Sequence, residues 1–466
     1  MKIKLSERNH LLCRRETRND HHPVHRNYDP TLHPFQQERE YQRALNSAKI
    51  QRMLSKPFEA SFYGHPIQIK TVKKCISDPK LCTTLDHDGL GKIWDINLQR
   101  AIYEYSLKDT PNINEEDHLS CSTFALNNQK LITASKLGSI YFHDFSSSLL
   151  ADEFNGNSSV KKSDIVDYFD TGSFIHGIDH QFNSPHYAVC GESVVLFDEN
   201  RHDPIQQFKW GPYNIIDLKF NFVEQSLLAC TTEDKGIVLY DTRTQSAIKK
   251  LVMHMEANCL SWNPMQPFIF TVGSQDYNLY TFDMRNLSKA YMVHMDHIAG
   301  VNDVDYCPSG TRFVSGSDDK TIRIFNIDEG RSNEIYHTKR MRNIDAIAWM
   351  SDNRYILSGS RDSNLRLWRP KASESTKILT PRERASRQYS ETLVNNYIYH
   401  PGVRKIAKFR HLPKALYNER KHMEEMRKAT KRKIFRSNPP SKLKKRNQDI
   451  KDLTDEKKSH IEDLLD

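Results

Sequence analysis

Seven segments of this sequence end alike. Each is an apolar run, a short turn, a second apolar run and a closing pair: Trp94-Asp95, His143-Asp144, Phe197-Asp198, Tyr240-Asp241, Phe282-Asp283, Phe325-Asn326 and Trp368-Arg369. The closing pairs recur at steps of 49, 54, 43, 42, 43 and 43 residues. Within a segment the apolar positions alternate, as Ile322 and Ile324 do, and as Leu365 and Leu367 do. Alternation with period two is the signature of a strand with one buried face. A unit of this length cannot bury that face alone, so consecutive units must cover one another.

A spacing of about 40 to 45 residues is that of the WD repeat, four strands per blade. Seven such blades remove open sheet edges by radial closure, so residues 61–370 can form one domain. The chain is therefore expected to be all-β, a seven-bladed WD-repeat β-propeller. Residues 1–60 form a basic N-terminal arm with a helix, and residues 371–466 a basic, mainly helical C-terminal extension.

Five repeats carry an aspartate six residues before the closing aromatic: Asp88, Asp234, Asp276, Asp319 and Asp362. A carboxylate at that place caps the tight turn between two strands, so these residues, with Trp94 and Trp368, are read as structural. His337, Ser358, Asp362 and Trp368 in the last repeat, and His65, Thr84, Asp88 and Trp94 in the first, are placed for a buried hydrogen-bond relay. Such a trio recurs from blade to blade, whereas a nucleophile is needed once, so no catalytic set is assigned. Gly89 and Gly91 form a G-x-G without a following helix, which is a blade turn and no dinucleotide loop. The insertions around NINEEDHLS and ADEFNGNSSVKKSDIVDYFD should project as polar loops.

Eight cysteines occur without a C-x-x-C pair and sit mostly in apolar runs, as reduced core residues do. Cys13 with His21, His22 and His25 offers one sulfur and lacks finger spacing, so no metal site and no cofactor is expected. No run approaches the length of a membrane span, and the first residues lack the apolar stretch of a secretory signal. The chain is expected on the nucleocytoplasmic side, with no membrane partner.

The net charge of +9 divides unevenly: +5 in residues 1–60, -8 in 61–370 and +12 in 371–466. From Pro401 to Arg446 there are 17 basic and three acidic residues. That asymmetry suits a folded body with extensions that seek polyanions. In the arm, Phe35, Tyr41, Leu45, Ala48 and Met53 recur at near-helical spacing, predicting a helix from about Gln36 to Leu54 that packs on the propeller and stops before Pro57. In the tail, Pro401 and Pro413 punctuate helical runs.

The arm's DP-x-LHPF (Asp29 to Phe35) and AL-x-x-x-K-x-x-RM-x-x-KPF (Ala44 to Phe58), the seven repeats, and the tail's HP-x-x-x-x-IA-x-x-RHLPK-x-x-Y (His400 to Tyr417) together resemble one family. It is the WD-repeat ribosome-assembly family known in yeasts as Sof-one and in animals as cullin-four-associated factor thirteen. The resemblance covers nearly the whole chain. It implies a non-catalytic nucleolar component of the small-subunit processome, the particle that processes precursor rRNA around a small nucleolar RNA. Its implied partners are those RNAs and other processome proteins. The closing pairs His143-Asp144 and Trp368-Arg369 depart from the repeat pattern.

In the tail, Arg404, Lys405, Lys408, Arg410, Lys414, Arg420 and Lys421 alternate with Ile406, Phe409, Leu412, Leu416 and Tyr417. The apolar residues are expected to dock the segment while the cations, with Lys431, Arg432 and Lys433, meet RNA phosphates or a protein. Lys431 to Arg446 also has the two basic clusters of an import signal. A different function class is suggested by two WD-x-R sequences, Asp241 with Arg243 and Asp283 with Arg285. These would bind the adaptor of a cullin-four ubiquitin ligase, unless they only pair with carboxylates on the rim.

Overall fold

The structure is a computed structural model that describes residues 35–437, apart from 108–116, 127–129, 145–160, 163, 210, 212, 245, 374–378 and 409. Cys13, His21, His22, His25, most of DP-x-LHPF, Phe409, the second basic cluster after Lys433 and the acidic end lie outside the described residues, as do parts of both insertions.

Seven antiparallel sheets form the propeller. Their innermost strands are Ile69–Lys74, Leu119–Phe124, Gly177–His180, Ile215–Phe220, Ala257–Trp262, Val301–Tyr306 and Ile344–Trp349. Each sheet has four strands in chain order except the first and the last; to the first, Lys161–Lys162 adds a short parallel strand beside Arg100–Tyr105. Seven apolar clusters lie one between each pair of neighbouring blades. The blades therefore stack through buried side chains, and the alternation read in the sequence is this inter-blade core.

The ring is closed by the arm. Phe58–Phe62 supplies the outer strand of the seventh blade, pairing with Leu365–Trp368 in the register Phe58 to Trp368 and Phe62 to Leu365. Ala60 and Phe62 enter the cluster that joins the seventh blade to Ile69, Val72 and Trp94 of the first. The propeller accordingly begins at Phe58 and not at residue 61. Arg369, which breaks the closing-pair pattern, ion-pairs with Glu59 of that strand. His143, the other departure, is buried in the place of the usual tryptophan, and its Nε2 lies 3.0 Å from the Thr133 hydroxyl. Trp94 and Trp368 make the equivalent bonds to Thr84 at 2.7 Å and Ser358 at 2.8 Å.

The blade turns share one geometry. Each of the five aspartates directly precedes a left-handed residue: Gly89, Lys235, Tyr277, Lys320 and Ser363 have φ of 78°, 65°, 70°, 62° and 62°. Only glycine adopts that region without steric cost. The carboxylates compensate, Asp276 and Asp319 accepting from the backbone N–H two residues on, Asn278 and Thr321, at 3.0 and 2.9 Å.

Outside the ring, α1 (Gln36–Leu54), α2 (Pro381–Asn396), α3 (Pro401–Ala407) and α4 (Lys414–Ser437) are the described helices. The bounds of α1 are those expected, but it packs on α2 and α3 and not on the propeller. Ala44 and Ala48 are buried with Leu393, Val394 and Val403, flanked by Tyr41, Leu45, Tyr397 and Ile406. The Tyr41 ring sits 4.3 Å from that of His400, and Tyr397 donates to Glu40 at 3.2 Å. Phe35 and Met53, expected on the apolar stripe, are 71% and 83% exposed. Arm and tail thus form one helical module. Thr380 and Glu383 close a capping box at the start of α2, Pro401 opens α3, and Pro413 directly precedes α4.

Candidate functional site

The buried relay is most complete in the sixth blade. His297 Nδ1 lies 2.9 Å from Asp319 and its Nε2 2.7 Å from the Ser315 hydroxyl. All three residues are buried, so this Ser-His-Asp set holds the blade together and presents no nucleophile. Burial pulls the His297 imidazole below its ordinary value. Burial alone would raise the Asp319 carboxyl, but His297, Arg323 and Thr321 hold it well below the carboxylate range.

From that relay a chain of charges runs out to the tail. The fully buried Arg323 reaches Asp319 at 3.2 Å and Asp296 at 3.7 Å. Asp296 accepts from the backbone N–H of Ser332 at 3.0 Å and ion-pairs with Arg410 of the tail. Burial pushes the Asp296 carboxyl up, and Arg323, Arg410 and the Ser332 hydroxyl outweigh it to keep the group ionised. Two further contacts fix the same segment. Lys408 Nζ donates to Glu329 at 3.0 Å, and His337 Nε2 meets the His411 carbonyl at 3.1 Å.

These contacts revise the relays expected in the end blades. His337 belongs to the tail contact and not to a relay with Ser358, and Asp362 pairs with Arg366. In the first blade the acid beside His65 is Asp86, at 3.6 Å, in the place expected for Asp88; His65 does meet Thr84, at 2.6 Å. Asp234 takes the Thr232 hydroxyl and Lys250, and Asp276 the Tyr280 hydroxyl.

The tail cations fall into two groups. Lys408 and Arg410 point into the propeller, and Arg420 pairs along α4 with Glu424 at 3.3 Å. Arg404, Lys405, Lys414, Lys421, Lys431, Arg432 and Lys433 are exposed. Of the interleaved apolar residues Leu412 is buried, while Tyr417 is 56% exposed. Arg427, which the sequence reading passed over, binds the Asn278 side chain at 3.0 Å, and Arg331 of the sixth blade faces Glu424 at 3.8 Å. Between α4 and the rim of blades five and six lies a cleft of about 1190 Å³.

Arg243 and Arg285 occupy equivalent turns between the third and fourth strands of neighbouring blades, which places them on one face. Each folds back onto its own aspartate, Arg243 to Asp241 at 3.1 Å and Arg285 to Asp283 at 2.8 Å. Their side chains stay 73% and 66% exposed, and Arg285 also lies 4.7 Å above the Phe268 ring. The axis of the propeller holds a second cavity of about 400 Å³, lined by Lys73, Lys219, Asp179 and Asp303 with Phe220, Phe222 and Trp262. Burial there pushes the Asp303 carboxyl up to about 7. Among the described residues no three metal-ligating side chains converge, and no helix is long and apolar enough to cross a membrane.

The blade-six relay and its link to the tail were missed because that blade closes on Phe325, with no tryptophan to draw notice. Ser315 and Asp319 nevertheless stand ten and six residues before it, the spacing of the other blades.

The Sof1-like domain matches residues 370–461, and the WD domain, G-beta repeat, matches 289–326 and 335–369. A Xenopus tropicalis protein named DDB1- and CUL4-associated factor 13 is 38% identical over 438 residues, covering 93% of this chain and 94% of its own. The Homo sapiens protein of that name is 38% identical over 465 residues, 99% of each. Protein SOF1 of Saccharomyces cerevisiae is 36% identical over 409 residues, 84% of this chain and 81% of its own. With the tail matching that domain and the identity running through arm, ring and helices, the chain belongs to the Sof1-like family of WD-repeat proteins.

Proposed function

We propose that the protein is a non-catalytic scaffold of the small-subunit processome in the nucleolus, needed for precursor-rRNA processing. The propeller offers rigid surfaces to protein neighbours, and the helical module presents cations to precursor rRNA and small nucleolar RNA. The observation that carries this reading is the division among the tail cations. Lys408 and Arg410 are consumed in fixing the tail to blades five and six, which leaves a helix of 24 residues held in place with Lys421, Lys431, Arg432 and Lys433 exposed. Such a helix is a preorganised polyphosphate contact, since charges fixed before binding cost less ordering entropy. The ribosomal setting is what the resemblance of arm, repeats and tail implies, and the identity to Protein SOF1 supports that resemblance.

Acute depletion of the protein followed by precursor-rRNA blots tests this. Accumulation of early uncleaved precursors is the expected result; unchanged precursor levels contradict it.

A second reading, adaptor work for a cullin-four ubiquitin ligase, is favoured by the exposed guanidinium groups of Arg243 and Arg285. The names of the animal relatives point the same way. Binding of a purified ligase adaptor, lost in the double variant Arg243→Ala with Arg285→Ala, tests that reading separately.

A further inference from the structure

We infer that the cleft between α4 and the rim of blades five and six is a composite seat for the ribose-phosphate backbone of RNA, built jointly by tail and propeller. This rests on the RNA-contact reading above and deepens it by naming the place. Neither wall makes the site alone: Arg331 comes from the sixth blade, Arg404 from α3, and Arg427, Lys428 and Lys431 from α4.

The charge balance of the cleft identifies the ligand class. Of its three carboxylates, Glu329 is paired with Lys408 and Glu424 with Arg420 and Arg331, while Asp276 accepts from the Tyr280 hydroxyl and the Asn278 backbone and keeps its charge. Among the described residues Arg404, Lys428 and Lys431, which line the same space, form no ion pair. These side chains are exposed to solvent at the cleft, and a concave surface with a surplus of one sign of charge focuses a field that attracts a polyanion. Lys428 and Lys431 lie on one strip of α4, three residues and about 5 Å apart along the axis. Arg432, four residues on from Lys428, extends that strip outward, a row of cations that suits a repeating phosphate.

Arginine forks pair carboxylate and phosphate alike, so one other feature favours nucleic acid over an acidic peptide. Tyr277, 37% exposed, also lines the cleft and offers a ring on which an unpaired base can stack, a contact for which an acidic peptide has no use.

The test uses the full chain, a labelled oligouridine and an RNA duplex of the same length, titrated at several salt concentrations. One variant carries Arg404→Gln, Lys428→Gln and Lys431→Gln. A matched control carries Lys80→Gln, Lys249→Gln and Lys289→Gln, which removes equal charge from exposed propeller positions outside the cleft. Among the described residues none of these six side chains forms an ion pair, and thermal melts check that both variants fold.

The cleft variant is expected to lose at least tenfold in affinity, and the log-log salt slope to flatten by about 2 for oligouridine and about 3 for the duplex. The control should lose less than threefold. Equal losses in the two variants overturn the cleft while leaving charge-driven RNA binding by the chain intact. A wild-type chain that binds neither RNA, or binds with a flat salt response, removes the underlying reading as well. An oligoglutamate of equal charge that competes as well as oligouridine overturns the assignment to RNA.

Discussion

The guanidinium of Arg410 in the tail forms an ion pair with the carboxylate of Asp296, which is buried in the propeller and already faced by Arg323. Through this contact the tail becomes part of the sixth blade's charge network, so tail docking and blade stability are coupled. Arg410→Ala leaves Asp296 underpaired in a dry site. We expect a loss of about 2 to 4 kcal/mol, read by denaturant unfolding, and faster proteolysis between α3 and α4. Adding Asp296→Asn should recover part of the loss, giving a double variant less damaged than the sum of its parts.

Closure of the ring depends on the strand Phe58–Phe62. Phe62 is 3% exposed in the cluster between the seventh and first blades, so Phe62→Ala should cost about 3 to 5 kcal/mol. Thermal unfolding measures this; a variant as stable as the parent contradicts the closure.

The buried histidines give a pH signature. Burial lowers His143 and His294 from 6.5 to about 4. Both are neutral in the folded protein while the unfolded chain takes protons below pH 6.5. Each therefore contributes stability that is full above pH 6.5 and falls as the pH drops toward 4, about 3 kcal/mol per group. The raised Asp303 runs the other way, adding stability as the pH falls from about 7 to 3.8. The wild-type curve mixes these effects, and single variants separate them. The cost of His143→Gln should be greatest above pH 6.5 and shrink toward pH 4 in denaturant titrations; a cost independent of pH contradicts a neutral buried imidazole.

The WD-x-R arginines should be silent in stability. Arg243 and Arg285 are exposed and pair with their own aspartates on the surface, Arg285 also lying over the Phe268 ring, and exposed contacts of this kind contribute little. Arg243→Ala with Arg285→Ala should melt with the parent and, on the scaffold reading, leave precursor-rRNA processing unchanged. Loss of function in that double variant with precursor-rRNA processing still normal would favour the ligase-adaptor reading.

The propeller was legible because its period survives the loss of individual motif residues. Seven closing pairs fix seven blades even where His143 or Phe325 stands for tryptophan, since burial between the blades is what the position requires. The closing strand was not legible as such: Phe58–Phe62 precedes its partner Leu365–Trp368 by about three hundred residues, and no local pattern records so distant a pairing. The α1 helix could be bounded by its periodicity and by Pro57, but an apolar stripe says only that something covers it, and the cover proved to be Leu393, Val394 and Val403. In the tail, composition gave the excess of cations without direction. Lys408 and Arg410 turn inward because Glu329 and Asp296 wait there, which only the three-dimensional arrangement shows. Asp86 stands beside His65 where spacing favoured Asp88, two residues apart in a turn that offers both carboxylates.

The central claim is that a rigid ring carries a docked cationic module onto pre-ribosomal RNA. Crosslinking the tagged full chain to RNA in living cells, with sequencing of the attached fragments, tests it most directly. The account predicts fragments concentrated in precursor small-subunit rRNA and its small nucleolar RNA, reduced by the Arg404→Gln, Lys428→Gln, Lys431→Gln variant. Fragments no more abundant there than for an unrelated propeller, from a protein that sediments apart from early pre-ribosomes, would contradict it.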